Sequence, residues 1–177
     1  MGPVPLVELD HMQDWQRAQY DRFPSNLTRA LLLLDQRLAG QLPATANALR
    51  AADLDPAWRE AIILRVASLQ NSAYERFHHL GQAQRHGWTS EQITAIERGA
   101  GDKVLPEELR VVLDLVDKLT ASPAVPDSVT AAARTVLTDR QLATVVVLVG
   151  HYMTVARIVA TLDVDVEDAP DSWINEH

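Results

Sequence analysis

Trp58-Arg-Glu-Ala-Ile-Ile-Leu-Arg-Val-Ala-Ser-Leu-Gln-Asn-Ser-Ala-Tyr-Glu-Arg-Phe-His-His-Leu-Gly-Gln-Ala-Gln-Arg-His-Gly87 decides how this chain folds. Apolar residues run along one side from Ala61 to Leu69. After a break, Asn71-Ser72 supplies short polar side chains of the kind that cap a helix start by accepting free backbone N–H groups. The stretch therefore predicts two helices meeting at a turn. Asp55-Pro56 places an N-cap before a proline at the first helical position and dates the start of the first helix. Gly87 suits the left-handed stop of the second. Ionisable groups concentrate here: Glu60, Tyr74, Glu75, His78, His79 and His86. On a helix, Ser72, Glu75 and His79 stand at i, i+3 and i+7, so a hydroxyl, a carboxyl and an imidazole share one face. That row is a candidate proton-transfer site.

Outward from this pair the chain reads as helices throughout, an all-α fold. Before it, helices are expected over His11 to about Asp21, over Leu27 to about Ala39 after an Asn26 cap, and from near Pro43 to Ala52. After it, Thr89-Ser90-Glu91-Gln92 opens a short helix. Leu109, Val112, Leu113, Val116 and Leu119 share one helical face, Pro126-Asp127 begins another helix, and Thr138-Asp139-Arg140-Gln141 starts a long one to about Leu162. Val145-Val146-Val147 has strand propensity, but the surrounding helical pattern is longer and decides the matter. Residues 1–10, with two prolines, read as an arm. The acidic tail from Asp163, with Pro170, reads as a surface strap. At 177 residues a single domain spanning 1–177 is expected.

Composition narrows the chemistry. A net charge of −8, with no basic stripe, weighs against nucleic acid as a partner. There is no cysteine, which excludes disulfides, thiolate metal sites and every thiol mechanism. The start of the chain lacks the basic-then-apolar order of a signal peptide, and the apolar run Leu142 to Gly150 is too short and too soon followed by His151 and Arg157 to span a bilayer. The cytoplasm, with no membrane partner, is the expected location.

The central motif admits bland readings. Ser72-Ala-Tyr-Glu75 has the spacing of a capping box, in which Ser72 bonds the Glu75 N–H and Glu75 bonds back. Glu75 and His79 are spaced as a surface pair of small energetic value, and Glu60 near a helix start suits the helix dipole. His78 and His79 diverge by about 100° on a helix, so at most one belongs to the site. A metal would need Glu60, Glu75 and His79 to converge as ligands. Two residues at helical spacing do not make such a centre, so no metal and no cofactor are expected. No glycine-rich phosphate loop or nucleophile elbow is present.

Arg59-Glu60-Ala-Ile-Ile-Leu-Arg-Val-Ala67, with Tyr74-Glu75, His79, Ala83 and Gly87-Trp-Thr-Ser-Glu-Gln-Ile93, resembles the carboxymuconolactone decarboxylase family, which includes the alkylhydroperoxidase D proteins. Pro24-Ser-Asn-Leu27, Val116-Asp-Lys-Leu119 and Leu148-Val-Gly-His-Tyr152 extend the likeness over about residues 20–165. In the peroxidase branch a glutamate is followed by the two cysteines of C-x-x-C and then a histidine. The matching positions here are Glu60, Ser72, Glu75 and His79, so the spacing is kept and both thiols are gone. The resemblance implies an all-α domain of about seven to nine helices and a homo-oligomer, trimer or hexamer. A thiol peroxidase is chemically disfavoured.

What remains suits proton transfer on a small-molecule substrate. The expected activity is a cofactor-free lyase that decarboxylates a lactone acid, with Glu60, Glu75 and His79 catalytic and Ser72 and Tyr74 binding substrate. Protonated His79 is the candidate acid, Glu75 or Glu60 orients it, Tyr74 is a candidate oxyanion donor, and Arg65 or Arg76 is a candidate partner for the substrate carboxylate. Dehydration, isomerisation or cyclisation would use the same groups. The competing expectation is a non-enzymatic oligomeric binding module, with Ser72 and Glu75 a capping box and His79 a satisfied core histidine. Convergence of Glu60, Glu75 and His79 around a cavity separates the two.

Overall fold

A computed structural model of the chain describes residues 4–167. Residues 1–3 and the tail from 168 on, including Pro170, lie outside the described part. Ten α-helices and no strand occur among the described residues: α1 (Asp14–Arg22), α2 (Asn26–Leu31), α3 (Gln36–Ala39), α4 (Gln41–Arg50), α5 (Pro56–Leu69), α6 (Ala73–Arg85), α7 (Ser90–Arg98), α8 (Glu107–Ala121), α9 (Asp127–Ala133) and α10 (Asp139–Thr161).

Helix α5 is the axis of the bundle. Its sequence suggested one apolar side, yet every residue from Arg59 to Ala67 is buried, because α6, α7, α8 and α10 all pack on it. A helix buried around its whole circumference by its neighbours is a central one. Ile62, Ile63 and Val66 join Val112, Leu115 and Val116 of α8 and Val145, Leu148 and Val149 of α10 in one core cluster. Ala61 and Leu64 join Ile93, Ile96, Leu109 and Leu113 in a second. Arg65 is buried among them at no unpaired charge: it donates to Asp117 at 2.6 and 3.1 Å and to the Glu97 carbonyl at 2.6 Å. Gly99, at φ 116°, is needed against this guanidinium, since a Cβ there would lie 2.6 Å from Arg65 Nη2.

Most capping signals are realised, but Ser25 and not Asn26 caps α2: the Ser25 hydroxyl accepts the Thr28 N–H at 3.0 Å, and Asn26 is the first helical residue. Asp55 accepts the N–H groups of Ala57 and Trp58 and starts α5, and Gly87 (φ 97°) closes the turn after α6. Asn71 takes φ 52° between α5 and α6, a left-handed conformation that asparagine tolerates better than most residues. The helix expected over Leu27 to Ala39 is instead divided. Asp35 accepts the N–H groups of Arg37 and Leu38, and this cap begins a new helix. Pro43 lies in the first turn of α4, where its missing N–H costs nothing.

The described part of the N-terminal arm folds back on its own chain. Leu6 packs beside Ala30, Tyr74 and Val155, and Arg29 donates to the Val7 carbonyl at 2.9 Å. Leu6 and Val7 are half-buried. By length and composition α10 would reach across a membrane, contrary to the sequence expectation of too short an apolar run. In the bundle it is a core helix with Val145, Leu148, Val149, Val155, Ala156 and Val159 buried, while Val146 and Val147 on its outer side are exposed.

Candidate functional site

The α5–α6 hairpin brings Glu60 and His79 together. Glu60 is only 1% exposed, and its Oε2 lies 2.7 Å from His79 Nδ1. Its Oε1 accepts from Arg59 Nε at 3.1 Å, and Arg59 in turn reaches the Arg50 carbonyl at 3.1 Å. Burial alone would raise the Glu60 carboxyl, but the bond and charge of His79, with Arg59 behind them, hold it below the ordinary carboxylate value. The same pairing works on His79 in the opposite sense. Burial disfavours its charged form, yet the Glu60 bond and charge, with Glu75 adding to them, keep its value above that of a free imidazole. Both shifts favour the buried imidazolium–carboxylate form of the pair.

Glu75 sits at the other edge of the same ring, its Oε2 3.6 Å from His79 Nε2. Here burial dominates and raises the carboxyl, outweighing the opposing pull of His79 and His78. Glu75 therefore leans toward the neutral acid while Glu60 stays ionised. Two carboxyls whose values are pushed apart across one imidazole are an acid–base arrangement.

The capping box does not form. The Ser72 hydroxyl accepts the Glu75 N–H at 3.4 Å, but the Ser72 N–H is already given to the Ala67 carbonyl at 2.8 Å. Nothing is left for the Glu75 side chain to accept there, so it is available to the cleft. Ser72 itself, expected to bind substrate, caps α6 and borders a separate depression with Arg76 and Glu97.

Glu75 and His79 face a cleft of about 100 Å³, walled by Arg50 at the end of α4, Tyr74 and His78 on α6, and His151 and Tyr152 on α10, so His78 and His79 both border it, contrary to the expectation of at most one. An apolar chamber of about 100 Å³, bordered by Leu31, Leu42 and Pro43, adjoins it and shares Arg50, His151 and Val155 with it. Glu60 does not line the cleft. It stands behind His79. Tyr152 packs edge-on against the His79 ring at 5.1 Å, and its phenol is pushed well up by burial and by the carboxyls of Glu75 and Glu60. His151 is lowered to about 4, by burial first and then by the charge of His79, so it is a neutral imidazole near neutral pH.

Tyr74 also lines the cleft, but its hydroxyl donates to Glu167 Oε1 at 2.8 Å and accepts the Leu27 N–H at 3.2 Å. Arg65 and Arg76, the expected carboxylate partners, point elsewhere: Arg65 to Asp117 and Arg76 to Glu97 at 2.6 Å. Arg50 is the arginine at the cleft. A shared metal is not favoured by the geometry, because Glu60 and Glu75 address opposite nitrogens of one ring and do not converge on a point. No group of three or more potential metal ligands occurs among the described residues.

The sequence did not single out Arg50, His151 or Tyr152 for the site. A signal existed for His151, which stands three residues after Leu148 and four before Val155, a polar residue inside an apolar helical face.

No family model and no curated protein matches the sequence. Solved structures do. An uncharacterized peroxidase-related protein from Ralstonia eutropha, described as an alkylhydroperoxidase AhpD core, superposes with a TM-score of 0.79 at 19% identity, over 94% of this chain and 92% of that one. The fold is that of the AhpD core. An uncharacterized peroxidase-related protein from Silicibacter sp. shares it with a TM-score of 0.76 at 16% identity, over 93% of this chain and 90% of that one. A variant of the debrominase Bmp8 in complex with 2,3,4-tribromopyrrole gives a TM-score of 0.74 at 13% identity, over 97% of this chain and 95% of that one. The all-α architecture expected from the resemblance is thus the AhpD-like one.

Proposed function

We propose that the protein is a cofactor-free lyase acting by proton transfer, with decarboxylation of a carboxymuconolactone-like lactone acid as its reaction. The observation that carries this is the arrangement of Glu60, His79 and Glu75: one ionised carboxylate behind the imidazole and one carboxyl biased to its neutral form in front, at the wall of a cleft. Breaking the bond to the departing carboxylate releases CO2 and leaves its electron pair in conjugation with the lactone carbonyl, as a dienolate. A proton must then reach carbon. His79 supplies it from the cleft side, held charged and oriented by Glu60, while Glu75, its carboxyl pushed up by burial, stands beside Nε2.

Tyr152, whose phenol stays protonated, lies at the cleft beside His79 and takes the role of oxyanion donor first expected of Tyr74. Arg50 lines the cleft and adds positive charge to its wall, which favours an anionic substrate. The adjoining apolar chamber takes the uncharged part of the molecule. Likeness of fold to a debrominase seen with a brominated pyrrole supports a small ring as the kind of substrate. Without cysteine there is no dithiol for a peroxidase cycle. The enzyme is further proposed to act as a cytoplasmic homo-oligomer.

The test is a panel of lactone acids followed for CO2 release, with His79→Ala as the blank. Release above the blank from at least one acid is expected. If none is turned over, but dehydrated or isomerised products form in a His79-dependent way, the proton-transfer site stands and decarboxylation falls. Indifference of every substrate to His79→Ala would favour a non-catalytic binding module.

A further inference from the structure

Glu167 is held by groups that belong to the cleft. Six residues past the end of α10, its Oε1 accepts from the Tyr74 hydroxyl at 2.8 Å and from the backbone N–H of Asn26, and its Oε2 meets His78 Nε2 at 2.6 Å. Tyr74 and His78 both line the cleft that Glu75 and His79 face. Among the described residues, no arginine or lysine bonds to the Glu167 carboxylate. A phenol, an imidazole and an amide N–H, drawn from two separate segments of the bundle, converge on one carboxylate, so both of its oxygens are bonded.

The strap that carries Glu167 has its own anchors. Asp163 turns the chain at φ 55°, Val164 is buried beside Ala30, Tyr74 and Val155, and Asn26 Nδ2 donates to the Asp165 carbonyl at 3.1 Å. The strap's attachment therefore does not need the Glu167 side chain, and the three donors are fixed on the bundle whether or not that side chain is there. Burial would raise the Glu167 carboxyl, but His78, the Asn26 N–H and Tyr74 hold it below the ordinary value. Its charge also favours the neutral form of Glu75, so an anion in this position supports the proton that the acid–base pair must carry.

We propose that Tyr74, His78 and the Asn26 N–H form a carboxylate-binding subsite of the cleft, filled by the chain's own Glu167 in the free protein and taken over by the carboxylate of a small unsaturated acid when one binds. This rests on the cleft being a substrate site. In a lactone acid with two carboxylates, the subsite holds the one that is retained. The strap then competes with ligand: apparent affinity is reduced by the fraction of molecules in which the subsite is free of Glu167.

Binding of benzoate, with benzamide as its neutral counterpart, is measured by calorimetry on the full chain. With Glu167 occupying the subsite about nine-tenths of the time, Glu167→Ala tightens benzoate binding about tenfold and leaves benzamide unchanged. Adding Tyr74→Phe to Glu167→Ala reverses most of the gain. Glu167→Gln, which keeps the shape and loses the charge, gives a smaller gain of the same sign and replaces the alanine variant if that one misfolds. Unchanged benzoate affinity in the folded variant overturns the proposal. So does an equal gain for benzamide, which would make the strap a steric cover, or a gain that survives loss of the Tyr74 hydroxyl. Because no turnover is read, the outcomes separate cleanly. Competition by Glu167 in a protein that releases no CO2 keeps the subsite and removes the lyase, and CO2 release without competition does the reverse.

Discussion

Replacing Glu60 by glutamine tests the buried pair directly. Glu60 is 1% exposed and bonded on both oxygens, to His79 at 2.7 Å and to Arg59 at 3.1 Å. Removing the charge of one partner from a buried ion pair costs about 3–5 kcal/mol. His79 has an escape, however. Burial is the largest influence on it and favours the neutral ring, so without the Glu60 charge it sheds its proton, and the loss falls to that of an ill-satisfied buried hydrogen bond, about 1–3 kcal/mol. The signs follow from linkage. His79 in the folded protein lies above its ordinary 6.5, so its contribution is complete below 6.5 and disappears as pH rises through the folded value. Glu60 lies below its ordinary 4.5, so its contribution is complete above 4.5 and disappears as pH falls through the folded value. Wild type should exceed Glu60→Gln most between pH 4.5 and 6.5, by about 3 kcal/mol, with the gap narrowing toward alkaline pH. Urea unfolding of both proteins at a series of pH values measures it. A gap that is the same at pH 5.5 and pH 10, or absent at both, would refute the charged pair.

Three further outcomes are expected. Glu75→Gln should lower turnover about 10²-fold without loss of stability. The raised Glu75 carboxyl makes the folded state bind more protons than the unfolded one above 4.5, so wild-type stability falls with pH there and the amide removes that penalty; wild-type turnover in the folded variant would exclude Glu75 from the chemistry. Ser72→Ala should cost about 0.5–1 kcal/mol, at the low side for an N-cap because its bond is 3.4 Å long, and a rise in KM in place of that thermal loss would return Ser72 to the substrate site. Light scattering at micromolar concentration should give a multiple of 19.6 kDa, whereas a monomer mass would end the proposed oligomer.

The helices were legible in the sequence because their signals are local. Asp55-Pro56, Thr89 with Gln92, and Thr138 with Gln141 each act within one turn, and each forms the cap its spacing promised. Glu60 and His79 were legible through a spacing that two helices and one turn convert into proximity. What local pattern could not supply was the direction in which long side chains run. Arg65 reads like a candidate for substrate, but it stands on a helix buried all round and is consumed by Asp117 and Glu97. Arg50 reads like an ordinary helix-terminal arginine, and only the packing of α4 against α10 sets it at the cleft. The Leu27–Ala39 helix failed for a different reason: Asp35 has the same polarity on an exposed helical face as at a cap, and its backbone decided which it was.

Glu75 and His79 rise from the same helix, α6, while His151 and Tyr152 reach the cleft from α10. With both proton carriers on one helix, a planar carbanion in the cleft meets them with only one of its faces. In the proposed reaction the new carbon–hydrogen bond is therefore made from a single side, and a turnover run in D2O should place the label with one handedness. The chirality of the product would be inherited from the division of labour between α6 and α10.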